Sequence, residues 1–134
     1  MQFIIASHGK MASGIQNSLE MLIGECENIH VLDAYLDDSN PQTVLDEMVN
    51  KRFGQEDIVI MTDLYGGSIN RFATLLVSDR VRLVTGINLA LVMELIYLKE
   101  ITDEEIEQAI NISKGEIRQI KMNDLKPKDD EEFF

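Results

Sequence analysis

At 134 residues the chain has the length of one domain, large enough to bury a continuous core without a disulfide or a structural metal. Its formal net charge of −12 opposes non-specific binding to nucleic acid or anionic lipid, since both need a basic face. The lone Cys26 excludes an internal disulfide and a cysteine-based zinc cluster and suits a reducing compartment. With only His8 and His30, far apart in sequence, a metal would have to lean on carboxylates, so neither metal nor cofactor is expected. No apolar run approaches the roughly 18 residues that span a bilayer, and the N-terminus lacks the basic flank of a signal peptide. The expectation is a cytoplasmic protein.

In chain order, residues 2–6 form a short apolar run stopped by Ser7-His8-Gly9, which predicts a buried strand ending in a tight turn. Met11, Ile15, Leu19, Leu22 and Ile23 recur at helical spacing, with Gly24 just past the end. A second strand is predicted over 29–35. A turn-rich Asp37-Asp38-Ser39-Asn40 follows, then a helix from Pro41 to Phe53 with Pro41 at its first position.

A third strand spans 58–61 and runs into the polar, glycine-bearing loop Thr62 to Ser68 before a helix resumes at 69–77. The fourth strand is 82–85, and Leu89 to Leu98 is a helix apolar on nearly every side, as in a buried or interfacial element. Thr102 to Glu105 reads as a capping box opening a last helix, and 116–122 alternates like a final strand. One domain over 1–122 and a charged tail over 123–134 are expected.

Strands alternating with helices predict an α/β doubly wound fold, a mostly parallel four-stranded sheet covered on both faces with right-handed crossovers. In such sheets ligands bind beyond the carboxyl ends of the strands where the strand order reverses. An order of 2-1-3-4 brings the loops bearing His8 and Asp63 together there.

His8 is the candidate nucleophile because it stands at such an end; His30, at the start of a strand, reads as structural. A carboxylate such as Asp63, bonded to one ring nitrogen, fixes the tautomer and leaves the other nitrogen's lone pair free to attack. Gly66 and Gly67 let the backbone approach a ligand, their amides and the Ser68 hydroxyl are candidates for an anion cradle, and a helix begins immediately after. A neutral nucleophile, an orienting carboxylate and an anion cradle make phosphoryl transfer the natural reaction class. Lys10 and Arg71 are candidate electrostatic partners of the phosphoryl group. No Gly-x-x-x-x-Gly-Lys or Gly-x-Gly-x-x-Gly motif points to a nucleotide donor.

Phe-Ile-Ile-Ala-Ser-His-Gly-Lys at 3–10, Thr-Asp-Leu-Tyr-Gly-Gly-Ser at 62–68 and Val-Thr-Gly-Ile-Asn-Leu-Ala-Leu-Val-Met-Glu at 84–94 resemble the IIA component of the mannose-type family of the bacterial sugar phosphotransferase system. The resemblance covers about residues 2–122. It implies a homodimer that takes a phosphoryl group from phosphorylated HPr and passes it to a IIB component serving a membrane IIC/IID permease. It also implies that His8 is a transient phosphohistidine, that Asp63 orients it, that Gly67 and Ser68 cradle the phosphoryl group, and that a last antiparallel strand near 117–121 is exchanged between subunits. The chain departs from the family pattern at Leu64-Tyr65, where relatives carry Thr-Trp, and the expectation is a free-standing IIA protein without the IIB domain that many relatives carry.

Other readings make different demands. The phosphotransferase subunit of dihydroxyacetone kinase also carries an N-terminal strand-end histidine, but the motif at 62–68 favours the sugar IIA reading. His8, Asp63 and Ser68 compose a Ser/His/Asp set, yet the Gly-x-Ser-x-Gly elbow of such hydrolases is absent. A receiver-like or non-catalytic module on the same fold would, if a receiver, need clustered acids after the first strand, where Ser7-His8 stands.

Overall fold

A computed structural model describes residues 1–125 of the protein. It contains four strands, β1 (Gln2–His8), β2 (Ile29–Ala34), β3 (Ile58–Thr62) and β4 (Val81–Thr85). The helices are α1 (Met11–Ile23), α2 (Pro41–Glu47), α3 (Ser68–Thr74), α4 (Leu89–Leu95) and α5 (Asp103–Lys114). The sheet is parallel throughout, in the order β2-β1-β3-β4 expected from the sequence.

β1 and β3 are interior strands, and alternate side chains enter different cores, as strand geometry requires. Phe3, Ile5, Val59 and Met61 pack on one face with α1, α4 and α5, where Leu19, Val92 and Leu95 are fully buried. Ile4, Ala6, Ile58 and Ile60 pack on the other with α2 and α3, against Leu45, Ile69 and Ala73.

The helix ends follow from local chemistry. Asn40 accepts from the amides of Gln42 and Thr43 with Pro41 behind it, and Asn88 accepts from the Leu91 amide. The predicted capping box at Thr102 is half formed: Thr102 accepts from the Glu105 amide, but the Glu105 carboxylate reaches the Glu100 amide instead of the cap. The predicted single helix from Pro41 to Phe53 is α2 followed by a π-turn at Met48–Arg52. Arg80 holds the end of that turn by donating to the carbonyls of Val49, Phe53 and Glu56.

The strand predicted over 116–122 is not formed. Residues 117–121 have no sheet partner among the described residues, and Met122–Asp124 closes a 3₁₀ turn. Alternation makes a segment competent to be a strand, but the hydrogen bonds of a strand need a second edge. Ile117, Ile120, Met122 and Leu125 are consequently exposed. The predicted tail over 123–134 lies, from 126 on, outside the described residues.

Candidate active site at the carboxyl edge of the sheet

His8 is the last residue of β1, in register with Ala34 on β2, and the Gly9 amide extends that ladder by donating to the Ala34 carbonyl. The turn beyond it is built from below. Buried Ser7 donates to the Gly9 carbonyl and accepts from the Ala12 amide at 2.8 Å, and Asp33 accepts from the Ser13 amide at 3.0 Å. These two side chains satisfy free amides of the first turn of α1, whose N-cap, Lys10, makes no side-chain bond. Gly9 completes the turn at φ +61°, a left-handed conformation that favours glycine.

Asp63 follows β3, the neighbour of β1, and one of its oxygens serves His8 twice. Oδ2 accepts from the His8 backbone amide at 2.8 Å and lies 2.8 Å from His8 Nδ1. Burial pushes the Asp63 carboxyl up, but the bonds from the His8 amide and ring outweigh that push and hold it below the usual carboxylate value. An ionised Oδ2 only accepts, so in the neutral ring Nδ1 carries the proton and Nε2 presents its lone pair. The second oxygen, Oδ1, is buried without a hydrogen-bond partner among the described residues.

On the far side of the ring, Ser68 Oγ lies 3.3 Å from Nε2. The loop that delivers it is held by Asn70, a buried side chain that accepts from the Gly66 amide and donates to buried Thr62. Gly66 has φ +77°. Gly67 keeps the turn close, since a Cβ there would crowd the Leu64 carbonyl oxygen at 3.2 Å and reach van der Waals contact with His8 Cε1 at 3.5 Å. The amides of both glycines are engaged within the protein, Gly66 with Asn70 and Gly67 with the Leu64 carbonyl. The cradle expected from their amides therefore reduces to the Ser68 hydroxyl, with the glycines shaping the turn.

The structure thus brings together His8, Asp63, Gly67 and Ser68. It does not bring Lys10 or Arg71 into hydrogen-bond contact with them: both are exposed, and neither forms an ion pair among the described residues. Leu64 and Tyr65, the departure from the family pattern, are exposed at 62% and 84%. Among the described residues no three His, Cys, Asp or Glu side chains gather to hold a metal ion.

Sequence reasoning missed four residues. Ser7, Asp33 and Asn70 support the two loops, and a polar Asn70 beside apolar Ile69, Phe72 and Ala73 on one helix was the visible signal. Tyr35 is the fourth. Its ring centroid lies 5.3 Å from that of His8 and its hydroxyl 2.7 Å from Ser68 Oγ.

The sequence model of EIIA-man, the PTS system fructose IIA component, matches residues 2–114. The chain belongs to this family. The EIIA-man resemblance read from the three motifs is therefore borne out. A curated EIIA-man relative, the PTS system mannose-specific EIIAB component of Escherichia coli K12, is 24% identical over 127 residues, 88% of this chain and 39% of that protein. The chain thus spans well under half of the length of the relative. A putative phosphoenolpyruvate-dependent sugar PTS permease from Klebsiella pneumoniae superposes with a TM-score of 0.83 at 28% identity, over 91% of this chain and 92% of the other. The mannose/sorbose-specific IIA subunit from Enterococcus faecalis superposes with a TM-score of 0.79 at 25% identity, over 93% and 98%. No helix among the described residues is long and apolar enough to cross a membrane.

Proposed function

We propose that the protein is a cytoplasmic phosphoryl carrier of a sugar phosphotransferase system, accepting a phosphoryl group from phospho-HPr on His8 and passing it to a IIB component. The observation that carries this reading is the His8 ring itself, with Nδ1 tied to ionised Asp63 and Nε2 open beside Ser68 at the exposed sheet edge.

The Nε2 lone pair forms a bond to phosphorus while the donor's P–N bond breaks, its electron pair returning to the donor ring. The Nδ1 proton stays in place. The positive charge that develops on the ring is offset by Asp63, and a charge-assisted bond of this kind is worth about 1.5–3 kcal/mol. Ser68 supplies a hydroxyl that can turn from Nε2 to a phosphoryl oxygen. Delivery to IIB reverses the same step, with IIC/IID reached only through IIB.

Met11, Leu36, Leu64 and Tyr65 leave exposed apolar surface around the edge, which suits docking of protein partners better than enclosure of a sugar. The exposed apolar side chains of 117–125 and the edge of β4, unpaired among the described residues, suit pairing with a second copy, the homodimer of this reading.

The site also meets the order Ser–His–Asp, which supports a hydrolase as a second reading. Against it, the glycine amides that would stabilise an oxyanion are already engaged. A serine-directed fluorophosphonate should leave the protein unlabelled.

The test of the main reading is incubation with phosphoenolpyruvate and the general phosphotransferase proteins. Wild type should take up acid-labile, base-stable label and His8→Ala none. Label retained on His8→Ala would refute the phosphohistidine.

A further inference from the structure

Tyr35 stands in a conformation that tyrosine rarely adopts. Its φ is +67°, the one positive value at a non-glycine among the described residues, and it directly follows Ala34, the register partner of His8. Steric crowding disfavours this region for a bulky side chain, so a residue held there is a pointer to a local role. Nothing in the packing core demands it, because Tyr35 is 49% exposed.

The left-handed turn brings the phenol over the site. The ring lies 5.3 Å from the His8 ring at 32°, and the hydroxyl meets Ser68 Oγ at 2.7 Å. Proton counting along the chain then assigns every donor. In the neutral ring, the state that can attack phosphorus, Asp63 Oδ2 accepts from Nδ1 and Nε2 accepts; the single Ser68 proton goes to Nε2; the Tyr35 hydroxyl therefore donates to Ser68 Oγ. With Tyr35 donating to one lone pair of Ser68 Oγ, the Ser68 hydroxyl is held with its proton towards Nε2 and, once the ring is phosphorylated, towards the phosphoryl oxygens.

We propose that Tyr35 is a positioning residue for phosphoryl transfer, orienting the Ser68 hydroxyl as donor and bracing the His8 ring opposite Asp63. The inference rests on the phosphohistidine reading and deepens it, adding a residue from the loop after β2 to a site otherwise built at the ends of β1 and β3. Tyr35→Phe keeps the ring and removes the donor, so docking should be untouched.

The test measures phosphoryl transfer to His8 from phospho-HPr in wild type, Tyr35→Phe, Ser68→Ala and the double variant. Tyr35→Phe should lower kcat about 3- to 10-fold, the range of one neutral hydrogen bond, with KM for phospho-HPr unchanged. In the Ser68→Ala background the same substitution should have no further effect. Tyr35→Gly, which suits the left-handed backbone, should keep or raise Tm while losing at least as much rate as Tyr35→Phe.

Labelling the same set with phosphoramidate, a small phosphoryl donor, repeats the comparison without protein docking. A wild-type rate in Tyr35→Phe, or an equal penalty with and without Ser68, would overturn the role of Tyr35. Label on His8→Ala from either donor would instead overturn the phosphohistidine reading beneath it.

Discussion

The two ends of one parallel sheet are built to different purposes. At the amino edge, the Gln2 and Phe3 amides donate to the carbonyls of Asp57 and Asn28, and the Ile58 amide to that of Arg80. The Arg80 guanidinium in turn satisfies three carbonyls, and His30 is bonded to Gln2 and packed on Phe53. At the carboxyl edge, Tyr35 is strained, Asp63 Oδ1 is unpartnered among the described residues and the His8 side chain is 44% exposed. The difference teaches where this fold keeps its reactive groups. Strands lock at the entry edge, and the exit edge is left with unspent hydrogen-bonding capacity around one nucleophile.

That contrast can be broken most sharply at Asp63. Asp63→Asn should slow phosphoryl transfer about 10- to 150-fold, the range of a hydrogen bond to a charged group, while the Asn oxygen can still accept from the His8 amide and hold the loop. Stability in denaturant titration should fall by no more than about 1 kcal/mol. A transfer rate equal to wild type would remove Asp63 from the site.

The converse substitution lies at the opposite edge. Arg80→Ala should lose about 2 kcal/mol of unfolding free energy, because carbonyls of the π-turn lose a charged donor, with the transfer rate per folded molecule unchanged. Urea midpoints and transfer rates on the same samples check it, and a slowed transfer step would show that the two edges are coupled.

The smallest effect is in pH. The His30 pKa lies below 6.5 because burial, reinforced by Arg52, disfavours the charged ring more than Glu56 favours it. A folded-state pKa below the unfolded one means the unfolded chain binds more protons, so this contribution is intact above pH 6.5 and is lost as pH falls through 6.5 towards the lowered value. Asp63, also lowered, acts only in the more acid range below its ordinary 3.8. His30→Gln should therefore flatten the stability profile just below pH 6.5 and leave the decline below pH 4 intact. An unchanged profile would show that His30 is not the group titrating at the amino edge.

Much of the molecule was legible from local pattern. Apolar runs bounded by turn-forming residues locate all four strands, the Asn40-Pro41 pair locates α2, and His8, Asp63 and Ser68 are candidates because the strand order 2-1-3-4 converges their loops. Boundaries moved where hydrogen bonds from elsewhere decided them. β1 runs to His8 because β2 lies alongside it, and the helix after Pro41 becomes a π-turn whose carbonyls Arg80 holds, 27 to 31 residues from its partners in sequence.

By itself the sequence determined the layered α/β class, the four parallel strands and the reactive residue types, because side-chain periodicity and turn chemistry act over a few residues. Only the tertiary structure decided how the groups meet. It set the shared Asp63 oxygen, the committed glycine amides, the Tyr35 contact across three strands and the lack of a sheet partner for 117–121 among the described residues. Each of these depends on which distant donor reaches a given acceptor first, and local pattern carries no record of that competition.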